Sequence, residues 1–316
     1  MQTSPAFPDI PQPDIPQEKF KRLSQEAKLA EEFQRPSTSY RQDVWQRFKK
    51  NKLAMAGLCF ILLITLAAIL GPMLSPYTYD GMDRTSGNQW PNAKHWFGTD
   101  KFGRDIFVRV LYGARISLTV GFSAAAISLI IGIVYGSVSG YLGGRVDMVM
   151  MRIVDILIGL PSLLYIVLLM LVLGANLFSV ILAICISSWI GTARIVRGQV
   201  LTLKSSEYVM SAKLAGASNW WILFYHLLPN SMGPIIVCTA FLVPGAIFNE
   251  AFLSFLGIGI SVPMASWGTL ANEAISQMSS RPYQLWFPVG AICLTMFSLN
   301  FIGDGLRDSL DPKLKK

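Results

Sequence analysis

Several long runs of apolar residues without a charge constrain the fold of this chain more than any other feature. The stretch 54–74 contains 21 residues and the stretch 156–193 contains 38, and neither includes Asp, Glu, Lys or Arg. The hydrocarbon core of a bilayer is about 30 Å thick and requires roughly 20 apolar residues of helix. Because lipid cannot satisfy backbone polar groups, such a segment must be helical. The sequence therefore predicts an all-α integral membrane protein.

Six apolar stretches predict six transmembrane helices. The run 156–193 is too long for one helix, and Gly174-Ala175-Asn176 within it favours a turn. The fifth stretch is apolar except for Glu250. The predicted spans are 54–74, 116–140, 153–173, 177–193, 233–257 and 283–303.

The distribution of basic residues predicts the orientation of these helices. If both termini are cytoplasmic, 20 of the 27 Lys and Arg residues lie in cytoplasmic segments, as the positive-inside rule requires. The loop 75–115 is an exception, because it contains six basic and four acidic residues. We therefore expect a multi-pass protein of the cytoplasmic (inner) membrane with both termini in the cytoplasm.

The composition excludes several functional classes. Charged residues make up 15% of the chain, against about 25% in an ordinary soluble domain, which argues against a soluble enzyme. A net charge of +8 would suggest nucleic acid for a soluble protein, but in this chain it reflects membrane orientation, so we expect lipid and no nucleic acid. Four cysteines scattered in apolar runs and two distant histidines predict neither a metal site nor a disulfide framework.

The residues before the first span differ from the rest of the chain. Residues 1–40 are rich in proline and charge and predict a cytoplasmic tail, which could be solvated or could dock on a partner. Residues 41–53 alternate aromatic and basic side chains, which is typical of an interfacial helix that anchors the first span. Residues 54–313 would then form the transmembrane domain.

The second span carries a pattern of small residues. The glycines recur at every fourth position, at Gly132, Gly136, Gly140 and Gly144. Such a stripe lets another helix approach closely within lipid and predicts a helix-packing face. The alternative is that glycines are simply frequent in membrane helices.

The segment 204–230 is predicted to be the most structured cytoplasmic loop. Ser206 can cap a first helix, and Gly216 can take the left-handed conformation that ends it. Ser218 can cap a second helix, which Pro229 is expected to end. A helix–turn–helix at the membrane surface is more typical of a docking element than of a tether.

This segment resembles the cytoplasmic coupling motif of ABC-importer permeases, in which a Glu-Ala-Ala triplet precedes a glycine and an Ile-x-Leu-Pro sequence. Aligned on the glycine, the matching residues are Ala212, Gly216, Leu228 and Pro229, and the departures are Met210, Ser211 and His226. The resemblance implies contact with an ATPase through Glu207, Tyr208, Met210, Ser211, Ala212, Ala215, Gly216, Leu228 and Pro229. Met210 stands where the family has glutamate, and Glu207, one helical turn earlier, is a candidate to replace that charge.

Further motifs resemble those of the C-type permease subunit of oligopeptide, dipeptide and nickel importers. They are Phe97-Gly98-Thr99-Asp100, Gly103-Arg104-Asp105, Ala265-Ser266-Trp267-Gly268 and Gly303-Asp304-Gly305. The resemblance covers about residues 45 to 313 and implies the type I ABC-importer permease fold. It also implies three kinds of protein partner: a second and different permease, two ATPase subunits and an extracytoplasmic peptide-binding protein. ATP and Mg²⁺ would belong to the ATPases, because this chain has no phosphate-binding loop and is not expected to be an enzyme.

The function implied by the resemblance is peptide import by alternating access. An importer of nickel or another small solute in the same family is one alternative. An ion-coupled secondary transporter is another, although it would require an inverted repeat and ion ligands within the membrane. Glu250, with its neighbour Asn249, is a candidate for the translocation path, because charges within membrane spans are costly. The alternative is that Glu250 is a paired or protonated structural residue.

Overall fold

The computed structural model describes residues 39–260 and 264–311. The predicted tail therefore lies outside the described residues, apart from its last two positions. A short 3₁₀ turn, Arg84–Ser86, interrupts the loop after the first long helix. In chain order the helices are α1 (Tyr40–Lys50), α2 (Lys52–Leu74), α3 (Ile106–Leu142), α4 (Gly144–Gly159), α5 (Ser162–Leu173), α6 (Leu177–Lys204), α7 (Glu207–Leu214), α8 (Asn219–Phe255), α9 (Trp267–Ile275) and α10 (Tyr283–Leu310).

Five of these helices, α2, α3, α6, α8 and α10, are long and apolar enough to cross a membrane. The bent pair α4 and α5 adds a sixth candidate if the two helices count as one span. Several helices extend well beyond the predicted spans. The 37 residues of α3 begin at Ile106 instead of residue 116, and α6 continues to Lys204 instead of residue 193.

The predicted third span, 153–173, is not one straight helix. The chain breaks between α4 and α5, which meet at an angle of 87°. Pro161 sits at the break, and Leu160 before it has the extended backbone angles φ −92° and ψ 133°. A proline ring disfavours helical angles in the preceding residue, so the helix ends at this point.

Side chains cap the starts of α2 and α3, the first two of these spans. Asn51 separates α1 from α2, and its Oδ1 accepts a hydrogen bond of 3.1 Å from the backbone N–H of Ala54. The boundary between the interfacial helix and the first span therefore lies at Asn51, two residues before the predicted end at residue 53. Asp105 caps α3 in the same way, with Oδ1 2.9 Å from the backbone nitrogen of Val108.

Three of the four stripe glycines, Gly132, Gly136 and Gly140, lie where α3 meets α6. The nearest atoms to a Cβ built at these positions belong to α6, on Thr192, Ala193 and Arg197. Any larger side chain would force the two helices apart, so the close packing of α3 on α6 depends on glycine.

The inclusion of Gly144 in this stripe is wrong. Gly143 ends α3 with φ 67°, and Gly144 begins α4 with φ 54°. Within the described residues, no heavy atom lies within 4 Å of a Cβ built at Gly144. The four-residue spacing continues to Gly144 in the sequence, but α3 has already ended before that position.

Candidate functional site

The first part of the segment 204–230 forms a short helix that ends at a glycine. Helix α7 runs from Glu207 to Leu214, and Gly216 follows with φ 82°. The backbone N–H of Gly216 donates to the oxygen of Lys213, and that of Ala217 donates to the oxygen of Ala212, each at 3.0 Å. This pair of bonds is the Schellman arrangement, which requires a left-handed residue at the position of Gly216.

Of the two predicted serine caps, one differs from the structure and one is confirmed. Ser206 precedes α7, but its hydroxyl donates to the oxygen of Leu203 at 2.5 Å instead of accepting from the helix. Ser218 does cap the next helix, with Oγ 3.3 Å from the backbone nitrogen of Trp221.

Pro229 does not end the second helix, contrary to prediction. The chain passes through a π-helical turn, Ile222–Leu227, and continues as regular α-helix from Leu228. Pro229 lies in the first turn of this α-helical part. Proline has no N–H to donate within a helix, and the π-helical turn immediately before Pro229 is where the regular bonding pattern is interrupted, so α8 continues through this position.

The segment is attached to the membrane helices through its apolar inner side. Val209, the buried residue of α7, packs in a cluster with Tyr141 of α3, Val200 of α6 and Leu223 of α8. The hydroxyl of Tyr141 also donates to Oδ1 of Asn219 at 2.7 Å. Helix α7 is therefore connected to three long helices through this apolar cluster.

The outer side of the segment exposes large apolar side chains. The most exposed are Leu214 (90%), Tyr225 (69%), Trp220 (62%), Phe224 (57%) and Met210 (55%). Between α7 and α8 lies an open depression of about 650 Å³, lined by Ser211, Ala212, Ala215, Gly216, Ala217, Ser218, Trp221 and His226. A contiguous apolar surface of this kind marks an interaction site.

The structure places the predicted coupling residues on two sides of the segment. The exposed ones are Glu207, Tyr208, Met210, Ser211, Ala215, Gly216 and Pro229, whereas Ala212 and Leu228 are half-buried against the apolar cluster. The aromatic side chains of α8 were missed by sequence reasoning. The signal that could have identified them is the run from Trp220 to Tyr225, in which each of two tryptophans is followed one helical turn later by another aromatic residue.

Glu250 lies in the interior of the protein and does not face an open path. Its Oε2 accepts a hydrogen bond of 2.7 Å from Ser117 of α3, and its Oε1 accepts one of 2.8 Å from Ser254. The backbone nitrogen of Trp267 in α9 lies 3.4 Å from the same Ser117 hydroxyl. Glu250 therefore ties three helices together, and its neighbour Asn249, which is half-buried, is not the partner of its carboxylate.

A second polar cluster lies where α3 begins, and sequence reasoning did not identify it. Arg104 and Arg109 are 3% and 2% exposed. Arg109 Nη1 lies 2.9 Å from Asp100 Oδ2 and 2.7 Å from Glu273 Oε2, and Arg104 makes matching contacts at 2.6 and 2.7 Å. We refer to Asp100, Arg104, Arg109 and Glu273 as the charge network. It joins the loop before α3 to α9.

Comparisons with known proteins agree with this architecture. The family described as binding-protein-dependent transport system inner membrane component matches residues 109–316. The family described as the N-terminal transmembrane domain of oligopeptide transport permease C matches residues 39–91.

Several relatives match over nearly their whole length. The oligopeptide transport system permease protein OppC of Bacillus subtilis is 50% identical over 303 residues, which cover 96% of this chain and 99% of that protein. The dipeptide transport system permease protein DppC of the same organism is also 50% identical, over 96% of this chain and 95% of that protein. OppC of Haemophilus influenzae is 44% identical, over 92% of this chain and 94% of that protein.

These matches exclude the alternative of an ion-coupled secondary transporter. The relatives are permeases of binding-protein-dependent systems, not ion-coupled carriers or enzymes. The chain belongs to the family of binding-protein-dependent transport system inner-membrane components and is a multi-pass membrane permease with the ABC-permease fold.

Proposed function

We propose that this chain is one of two different permease subunits of a peptide importer and that the segment 204–230 is its docking site for an ATPase. The observation that carries the proposal is the exposed apolar side of this segment, whose inner side is packed on α3, α6 and α8. An ATPase can drive transport only if its nucleotide states contact a rigid element of the permease differently. Helix α7 is such an element.

The remaining parts of the importer follow from this assignment. ATP and Mg²⁺ bind to two ATPase subunits, and this chain holds neither. A peptide-binding protein delivers the cargo on the opposite side of the membrane, and both termini of this chain are cytoplasmic. The names of the relatives, which specify oligopeptides and dipeptides, favour peptides over nickel as the cargo.

The docking site has a definite division of roles. Leu214, Met210 and Trp221 supply apolar contact, because their side chains are exposed without a covering element in the described part of the chain. Gly216 fixes the angle between α7 and α8, since its left-handed backbone sets the turn. Glu207, exposed in the first turn of α7, supplies the charge that the family motif has at the position of Met210.

The test compares two exposed apolar residues at opposite ends of the helices. Leu214→Glu puts a charge on the docking surface, whereas Met82→Glu puts the same charge on the loop before α3, where Met82 is 59% exposed. We expect Leu214→Glu to lower peptide uptake and retention of the ATPase by more than about tenfold, since burying an unpaired charge at an interface costs well over 1.4 kcal/mol. Met82→Glu should change neither. Normal uptake and ATPase retention in Leu214→Glu would refute the proposed docking site.

A further inference from the structure

A large apolar groove lies at the end of α2, and its lining includes no residue of the coupling segment (residues 204–230) or of the charge network. Its volume is about 780 Å³. Helix α2 contributes one face of leucines, and α3 contributes Phe107, Val108 and Leu111. The leucines of α2 that line the groove are Leu63, Leu66, Leu70 and Leu74, and each is more than 40% exposed.

The groove has the length of one bilayer leaflet. Leu63 and Leu74 are eleven residues apart on α2, and at 1.5 Å per residue this separation is about 16 Å. Half of a hydrocarbon core of about 30 Å is close to the same length. The groove therefore extends from the end of a membrane-spanning helix to about the middle of the membrane.

The end of the groove at Leu74 is polar. Lys94 and Trp96 line it there, and Trp96 is 64% exposed with its ring 5.0 Å from that of Phe107. Tryptophan beside an apolar surface is typical of the headgroup level of a bilayer. A cation at the same level is positioned to meet an anionic headgroup.

Lys94 has no carboxylate partner in the described part of the chain. The acid nearest to it in the groove lining is Asp105, whose Oδ2 is 2.9 Å from Nδ1 of His95 and whose Oδ1 accepts from Val108. Both oxygens of Asp105 are thus already engaged. None of the ion pairs among residues 39–260 and 264–311 includes Lys94.

We propose that this groove holds one acyl chain of an anionic glycerophospholipid, with the lipid phosphate at Lys94. The acyl chain gains little from burial alone, because the surrounding lipid tails are equally apolar. Selective retention must therefore come from the fit to the groove and from the charge of Lys94. The proposal does not depend on the docking site for the ATPase or on the transported cargo.

The test uses the full chain in phosphatidylcholine vesicles that contain phosphatidylglycerol with a photoreactive group on its acyl chain. After illumination, the labelled peptides are mapped by mass spectrometry. We expect labelling in α2 and at the start of α3. Lys94→Gln should lower this labelling about five-fold, since a surface cation contributes about that factor to the binding of anionic lipid. Lys101→Gln is the matched control, because Lys101 is an exposed lysine of the same loop that does not line the groove, and it should leave the labelling unchanged.

A second variant tests the groove itself. Ala67→Trp fills it from α2, where Ala67 is a half-buried lining residue, and should abolish labelling there while Lys94 is intact. Three outcomes would overturn the proposal. The first is equal labelling by a photoreactive phosphatidylcholine. The second is labelling that neither variant reduces. The third is loss of labelling in host membranes that contain the assembled transporter, which would show that a protein covers the groove.

Discussion

The charge network and the coupling segment, at opposite ends of the long helices, bury their side chains to very different extents. At one end, the charge network buries two arginines and pairs both of them with carboxylates from the same chain. At the other, the coupling segment exposes Leu214, Trp220 and Tyr225. Helix α3 separates the two regions, and its 37 residues correspond to about 55 Å.

The difference indicates which of these two regions is complete within the chain. Buried charges are stable only when paired, and Asp100 and Glu273 both bond to the two arginines. Exposed apolar side chains make no comparable contribution until a partner covers them. We therefore expect substitutions in the charge network to affect folding and substitutions in the coupling segment to affect transport.

The largest expected effect on stability is that of Arg109→Met. The substitution keeps most of the volume of the side chain but leaves Asp100 and Glu273 with Arg104 alone. Removing one partner from a buried charge cluster costs about 3–5 kcal/mol. The measurement is chemical unfolding of the purified chain in detergent.

Arg115→Met is the matched control for this substitution. Arg115 lies on the same helix and makes a single exposed hydrogen bond of 3.2 Å to the backbone oxygen of Ile69. Its loss should cost about 1 kcal/mol or less. Equal destabilisation by the two variants would show that the charge network does not hold this end together.

Sequence reasoning succeeded where the determining interactions are local. The apolar run 54–74 nearly coincides with α2, and the left-handed turn at Gly216 follows from one residue type. The predicted helix break at 174–176 also arises from neighbouring residues, whereas the break at Pro161 within the third span was not predicted. Such features depend on backbone preferences that a few adjacent residues express.

Sequence reasoning failed where partners are distant in the chain. Arg109 and Glu273 are 164 residues apart, and Ser117 and Glu250 are 133 apart. No local sequence pattern indicates which two polar residues bond to each other over such separations. Pro229 was misjudged for another reason, because a π-helical turn before it moved the start of the regular helix to Leu228. The sequence around such a proline does not show whether the helix ends there or continues through an irregular turn.

A smaller loss of stability is expected for Gly216→Val. Gly216 has φ 82°, and, apart from the glycine itself and its two neighbours in the chain, no heavy atom of the described residues lies within 4 Å of a Cβ built there, so the strain is one of backbone conformation. A left-handed angle costs a residue with a side chain about 1–2 kcal/mol. Peptide uptake should nevertheless be lost, since a changed turn redirects α7 relative to α8.

Gly216→Asn distinguishes these two effects. Asparagine tolerates the left-handed conformation better than valine, and so it should restore much of the uptake. If Gly216→Val is inserted at normal levels and imports peptide normally, the angle at Gly216 has no role in coupling.

The smallest expected effect on stability is that of Tyr225→Ser. Tyr225 is 69% exposed and stacks only on the exposed ring of Trp221, with centroids 5.5 Å apart, so the chain loses little packing when the ring is removed. Surface substitutions of this kind usually change the free energy of unfolding by less than about 0.5 kcal/mol. In the assembled transporter, however, an aromatic side chain at an interface often contributes more than 1 kcal/mol to binding. Unfolding of the isolated chain and dissociation of the ATPase, measured on the same variant, separate these two contributions. Tyr225→Ser could instead destabilise the isolated chain as strongly as Arg109→Met. The proposed contrast in stability between the charge network and the coupling segment would then be wrong, because contacts within the chain, and not a partner, would hold the coupling segment.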